Sequence, residues 1–125
     1  MADVIHYFTD LEAWKVAHEF VIDVYKATDL FPRKEQFGLT AQIRRAAVSI
    51  TSNIAEGFSR YSYADKLRFY YISRGSLSEV QNQLLIAKDL QFIEQEMFQN
   101  FWTKSQHSSA LLNGLIKSTG DRVHQ

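Results

Sequence analysis

Eight cationic residues, Arg33, Lys34, Arg44, Arg45, Arg60, Lys66, Arg68 and Arg74, fall within one third of the chain, and Tyr61, Tyr63, Phe69, Tyr70 and Tyr71 are interleaved with the later ones. Guanidinium and ammonium groups neutralise phosphates, and aromatic rings give bases a surface to stack on, so this pattern suits RNA or DNA. The other reading keeps the aromatics in a core and pairs the cations with acids, within the chain or across subunits; helical spacing buries at least Tyr70. Net charge is zero, yet the formal balance runs −4 over residues 1–32, +5 over 33–74 and −1 over 75–125. A basic middle beside an acidic start fits an anionic partner or a neighbouring copy's acidic surface, and composition does not choose between them.

A second constellation is polar rather than charged. Gln42, Ser49, Asn53 and Glu56 recur at three-, four- and seven-residue spacing and so form a ridge along one helix face, ending at Gly57. Side chains of this kind fix helix register through hydrogen bonds more often than they hold a ligand. Glu79, in Ser76-Leu77-Ser78-Glu79, is the partner expected for them.

Reaction chemistry finds little to work with. The chain has no Cys, which removes disulfides, thiolate metal sites and thiol nucleophiles and points to a reducing cytoplasm. Helical bundles that hold metals use Glu-x-x-His on inward faces, and that spacing does not occur. His18 is expected on the core side of its helix as a packing residue, His107 in solvent, and His6 and His124 near the ends. The five glycines are scattered one by one, which leaves no phosphate loop or dinucleotide fingerprint. No catalytic residue, cofactor or metal is therefore expected, and the chain reads as a non-enzyme. Residues 1–8 lack a basic start and an apolar run of signal-peptide length, and no segment reaches the roughly 20 apolar residues of a membrane span. A soluble, cytoplasmic protein without a membrane partner is the expectation.

The elements that must carry these residues are helices. At 125 residues and 46% hydrophobic content, one domain with one core is expected. Thr9 and Glu12 form a capping box that starts a helix over about residues 10–29, with Leu11, Trp14, Ala17, His18, Val21 and Tyr25 on one face and Ala13, Phe20, Val24 and Ala27 widening it. Pro32, the only proline, marks the first connection. The second helix spans about 34–57, burying Leu39, Ile43, Ala46, Ala47, Ile50 and Ile54, with Phe37, Ala41, Val48 and Ala55 on a third sector. Gly57 is expected to end it in a left-handed conformation. A weaker box, Ser62 to Asp65, opens a third helix over about 63–90, with Tyr70, Ser73, Leu77, Val80, Leu84 and Ala87 inward and a second apolar line at Leu67, Tyr71 and Leu85. Gly75 inside it implies the close approach of another backbone. The fourth helix covers about 94–119 with a seam of Phe98, Phe101, Trp102, Ser105, Ser109, Leu112 and Ile116; Gly120 stops it, and residues 121–125 fray. Four amphipathic helices with short connections predict an all-α, antiparallel up-down-up-down four-helix bundle. The extra apolar sectors on the second and third helices predict assembly with copies of itself, through head-to-tail contacts if the assembly is a closed ring.

The run Gln42-Ile43-Arg44-Arg45-Ala46-Ala47-Val48-Ser49-Ile50, continuing into Ser52-Asn53-Ile54-Ala55-Glu56-Gly57, resembles the signature of the bacterial four-helix bundle proteins encoded in intervening sequences of 23S ribosomal RNA genes. Glu35-Gln36-Phe37-Gly38-Leu39, Gly75-Ser76-Leu77-Ser78-Glu79 and Leu115-Ile116-Lys117-Ser118 extend the likeness to roughly residues 10–120. That group includes the accessory variability proteins of diversity-generating retroelements, which are barrel-shaped homopentamers that bind nucleic acid and associate with a reverse transcriptase. The resemblance implies a non-enzymatic homopentamer with RNA, DNA, a ribonucleoprotein or a reverse transcriptase as partner. Thr51 stands where the family often has Pro. Asp89-Leu90-Gln91 stands where it often has Gly, which implies a third helix that runs further.

Overall fold

The computed structural model describes residues 4–124, in which the long helices are α1 (Glu12–Thr28), α2 (Leu39–Ser59), α3 (Tyr63–Asp89) and α4 (Gln95–Gly120). The connections at residues 60–62 and 90–94 are too short to let the chain cross the bundle, so α2, α3 and α4 are successive antiparallel neighbours. The longer connection at residues 29–38 returns the chain so that α2 packs on α1. α2 packs most extensively on α3, α3 on α4, and α1 closes the ring of contacts by touching both α2 and α4. The result is the expected all-α four-helix bundle, with Phe20, Ile43, Ile50, Ile54, Tyr70, Leu77, Val80 and Leu112 sealed in one continuous core. Each large aliphatic side chain there contributes about 1.5–3 kcal/mol by leaving water.

The start of α1 differs from the expected capping box. The helix has no side-chain cap at Leu11, the residue before it; the Asp10 carboxylate instead accepts the backbone amides of His6 at 2.9 Å and Tyr7 at 3.0 Å and holds a 3₁₀ turn at Phe8–Asp10. Those two hydrogen bonds hold the Asp10 carboxyl below its usual range. Within α1 the buried stripe is Ala13, Ala17, Phe20, Val21, Val24 and Ala27. Tyr25 is exposed, and His18 is in solvent rather than on the core side, its ring stacked 4.6 Å from that of Trp14. The wider sector expected from the sequence is the true core face, because α1 has two helical neighbours to reach.

α2 begins later than expected. After Pro32 the chain makes a 3₁₀ turn at Arg33–Glu35, and the Glu35 carboxylate accepts the Leu39 amide at 3.1 Å, capping the helix that starts there. Phe37 thus lies outside α2 and is 90% exposed. At the other end Gly57 is not left-handed, and the helix continues to Ser59. Its role is steric: a Cβ at Gly57 would sit 2.7 Å from Cε1 of Tyr70 and 3.0 Å from Cβ of Phe69. The missing side chain lets α3 lay a buried tyrosine ring directly on the α2 backbone.

α3 starts as expected, with the Ser62 hydroxyl accepting the Asp65 amide at 3.1 Å. It does not run on past Leu90. Gln91 takes φ 63°, and the amides of Gln91 and Phe92 bond the carbonyls of Lys88 and Ala87, a Schellman closure at a left-handed residue that is not glycine. Phe92 then tilts against Phe31 with 5.7 Å between ring centroids, a packing contact that holds the turn in place. A methyl group at Gly75 would meet nothing within 4 Å, so no backbone of this chain approaches it, contrary to expectation. On α4 the small buried residues are Ser105 and Ser108, with Ser109 half-buried, a shift of one position around the helix. Residues 121–124 form a hydrogen-bonded turn rather than a frayed tail, with Arg122 over the ring of Tyr63 at 5.8 Å. Gln125, the last residue of that tail, lies outside the described residues.

Candidate nucleic-acid interface

The basic third of the chain is divided by the fold. Arg44 and Arg60 are sixteen positions apart on and beyond the same helix, about 24 Å along its axis. Arg33, Lys34 and Arg44 therefore sit at the end of the bundle that holds the α1–α2 connection. Arg60, Lys66 and Arg68 sit at the opposite end, around the α2–α3 turn, while Arg45 and Arg74 lie on the flanks. The eight cations do not form one continuous surface.

Arg44 is a structural clamp. Its Nε donates to the Thr28 hydroxyl at 2.7 Å, its Nη2 donates to the Tyr25 carbonyl at 3.2 Å and the Asp29 carboxylate at 2.8 Å, and its guanidinium lies 4.8 Å from the Tyr25 ring centroid. These contacts cover the last turn of α1, where free carbonyls concentrate negative charge. Charge reversal at Arg44 would therefore break the α1–α2 contact rather than report on a partner. Arg33 and Lys34 are exposed on the adjoining 3₁₀ turn.

At the opposite end cations and rings do come together. Arg60 and Arg68 both approach the Phe69 ring, at 4.5 and 5.2 Å, Lys66 approaches Phe58 at 5.2 Å, and Arg122 approaches Tyr63. Tyr61 projects from the turn with its ring fully in solvent. Two acids moderate the charge: Glu56 pairs with Arg60 at 2.7 Å, and Asp65 with Arg68 at 3.8 Å. Lys66 donates to the Phe58 carbonyl at the end of α2, and desolvation there lowers its ammonium below the usual lysine range. Arg74 lies on the flank over Tyr71 at 5.0 Å and reaches Asn113 at 3.3 Å. Arg122 belongs to this cluster although nothing in its sequence context points there; only folding brings position 122 beside position 63.

The polar ridge is divided as well. Ser49 and Ser76 hydroxyls meet at 2.8 Å, Asn53 donates to the Ser49 carbonyl and hydroxyl at 2.8 and 3.0 Å, and the buried Ser73 hydroxyl donates to the Ile50 carbonyl at 2.7 Å. Ser76 and Ser73, not Glu79, are thus the α3 partners that fix register against α2. Glu56 turns away to Arg60, while Gln42, Arg45 and Glu79 stay open to solvent at the groove.

A model of the 23S rRNA-intervening sequence protein family matches residues 9–114. The chain belongs to that family. Its helices also superpose on the crystal structure of a protein of unknown function from the S23 ribosomal protein family of Bacteroides thetaiotaomicron, with a TM-score of 0.78 and 23% identity over 84% of this chain and 98% of that one. At that identity the likeness carries the fold. No curated relative matches the chain. Among the described residues no helix is long and apolar enough to cross a membrane, and no three His, Asp or Glu side chains converge as metal ligands would.

Proposed function

We propose that this family member is a non-enzymatic scaffold that assembles with copies of itself as a homopentamer in the cytoplasm. It binds single-stranded RNA or DNA, within a ribonucleoprotein or beside a reverse transcriptase, through the α2–α3 end of the bundle. The observation that carries this is Tyr61, a ring fully in solvent at the end of the bundle where Arg60, Lys66, Arg68 and Arg122 gather. A base can stack on that ring while the cations track the phosphates, an arrangement that holds a strand and performs no reaction on it. Assembly is supported by the second apolar line of α3, where Tyr71 and Leu85 are left outside the core at 47% and 37% exposure.

Fluorescence anisotropy with single-stranded RNA tests the binding. Affinity should fall as salt rises from about 50 to about 200 mM, with a logarithmic slope near −3 if four cations contact phosphates. Tyr61→Ala and Arg68→Glu should each weaken binding at least tenfold while circular dichroism stays unchanged. No binding at the lowest salt overturns the nucleic-acid role. Light scattering tests the assembly, and a monomer at micromolar concentration overturns it.

A second reading, a protein-interaction scaffold that binds no nucleic acid, is favoured by the engagement of Arg44 in the α1 clamp and by the zero net charge. It expects a stable oligomer with no salt-dependent retention on nucleic acid.

A further inference from the structure

Below the Ser49–Ser76 contact the groove between α2 and α3 opens, and its polar side chains lose their partners. One turn down, Arg45 on α2 and Glu79 on α3 stand at the same level of the antiparallel pair; neither makes an ion pair among the described residues. One turn further, Gln83 is 5% exposed, and its side-chain carbonyl oxygen is buried without a hydrogen-bond donor. With Gln42, Ala46, Ser49 and Ser76 these residues line an open groove of about 560 Å³. Val48 on one bank and Ile72 and Ile86 on the other leave apolar surface beside it, at 40–47% exposure.

A buried amide acceptor without a donor is unfavourable, and a cation and an anion on facing banks define what would complete the site. The missing piece offers an acid to Arg45, a base to Glu79, polar hydrogens to the amide and apolar edges to the banks. We infer that the α2–α3 groove is a two-fold docking surface for a second copy of this chain. A half-turn about an axis that runs along the mouth of the groove, parallel to the two helices, places each copy's Arg45 against the other copy's Glu79. The same rotation sets the apolar bank of α2 against that of α3. Charge complementarity is thereby built into one patch, which is the requirement of an isologous contact. A five-membered ring closes through two different patches. The groove, which pairs with itself, is therefore a separate contact that makes dimers or joins two rings.

Cross-complementation tests the inference. Arg45→Glu and Glu79→Arg are purified separately, checked by circular dichroism, and weighed by native mass spectrometry alone, as an equal mixture, and as the double variant. Each single variant places like charges against each other, so the contact should weaken at least tenfold and the two-fold species should disappear. The equal mixture restores both ion pairs between unlike chains, and the double variant restores them between like chains. Masses that do not respond to either substitution overturn the inference, as does a mixture that fails to reassemble while both variants are folded. A five-fold mass that is indifferent to all four samples leaves the proposed ring standing and removes only the groove contact. A monomeric parent chain removes both.

Discussion

From mid-length of α2 and α3 toward their connecting turn, Ser49 bonds Asn53 and Ser76, Ser73 bonds the Ile50 carbonyl, and Gly57 lets Tyr70 lie on the α2 backbone. About two turns away along the same pair of helices, Gln42, Arg45, Glu79 and Gln83 have no side-chain hydrogen-bond or ion-pair partner among the described residues. Both regions are polar residues at helical spacing on one seam, and side-chain size distinguishes them. Where side chains are serine-sized the helices close up and the polar groups satisfy each other. Where glutamine, arginine and glutamate occupy the seam, the helices leave a groove and the groups face outward. A polar ridge thus does two jobs, register at its tight end and recognition at its open end.

The largest test is at the tight end. Gly57→Val should destabilise the fold by about 2–3 kcal/mol in urea unfolding, because its Cβ alone would already overlap Tyr70, which is buried on all sides. A neutral outcome would mean that α2 and α3 can separate there, and the contrast between the two regions would collapse.

Alkaline titration probes the same contact without mutation. Burial pushes the Tyr70 hydroxyl up from 10.0 to about 12. The folded state therefore favours the neutral phenol, and that contribution is complete below pH 10. It is lost as pH rises through the folded value, so urea midpoints should drop between pH 10 and about 12 while exposed tyrosines ionise first. A midpoint flat across that window would show that Tyr70 is wetted. Ser73→Ala should cost about 1 kcal/mol for the lost bond to the Ile50 carbonyl.

The smallest effect on the single chain is expected at the open end. Gln83→Leu removes a buried acceptor that has no donor, so monomer stability should stay within about 0.5 kcal/mol or rise slightly. A clear loss would show that the amide is already satisfied inside the chain, and the two regions would then be alike.

Helix number, order and most inward faces were legible because apolar periodicity is local. Ile43, Ala46, Ala47, Ile50 and Ile54 on α2, and Tyr70, Leu77, Val80, Leu84 and Ala87 on α3, are all buried as their spacing required. The misplaced features depend on neighbours. His18 and Tyr25 share a stripe with core residues on a helical wheel, yet two flanking helices rotate the buried sector of α1 toward Phe20 and Val24. Gly57 has the composition of a helix stop, and only the Tyr70 ring above it shows why a glycine stands there. Gln91 carries no turn signal, and the Phe92–Phe31 contact holds it left-handed.

By itself the sequence determined four amphipathic helices, their antiparallel order, the family and a basic central third, since each is fixed by residue type and spacing along the chain. Tertiary structure alone decided which cations come together. Arg44 is consumed by the Thr28 hydroxyl, the Tyr25 carbonyl and the Asp29 carboxylate at the end of α1, Arg60 and Arg68 gather over Phe69, and Arg122 joins them from the far end of the chain. It also decided that the ridge is closed above Ser49 and open below it. The physical reason is that charge pairing and hydrogen bonding act over a few ångströms in space, whatever the separation in sequence.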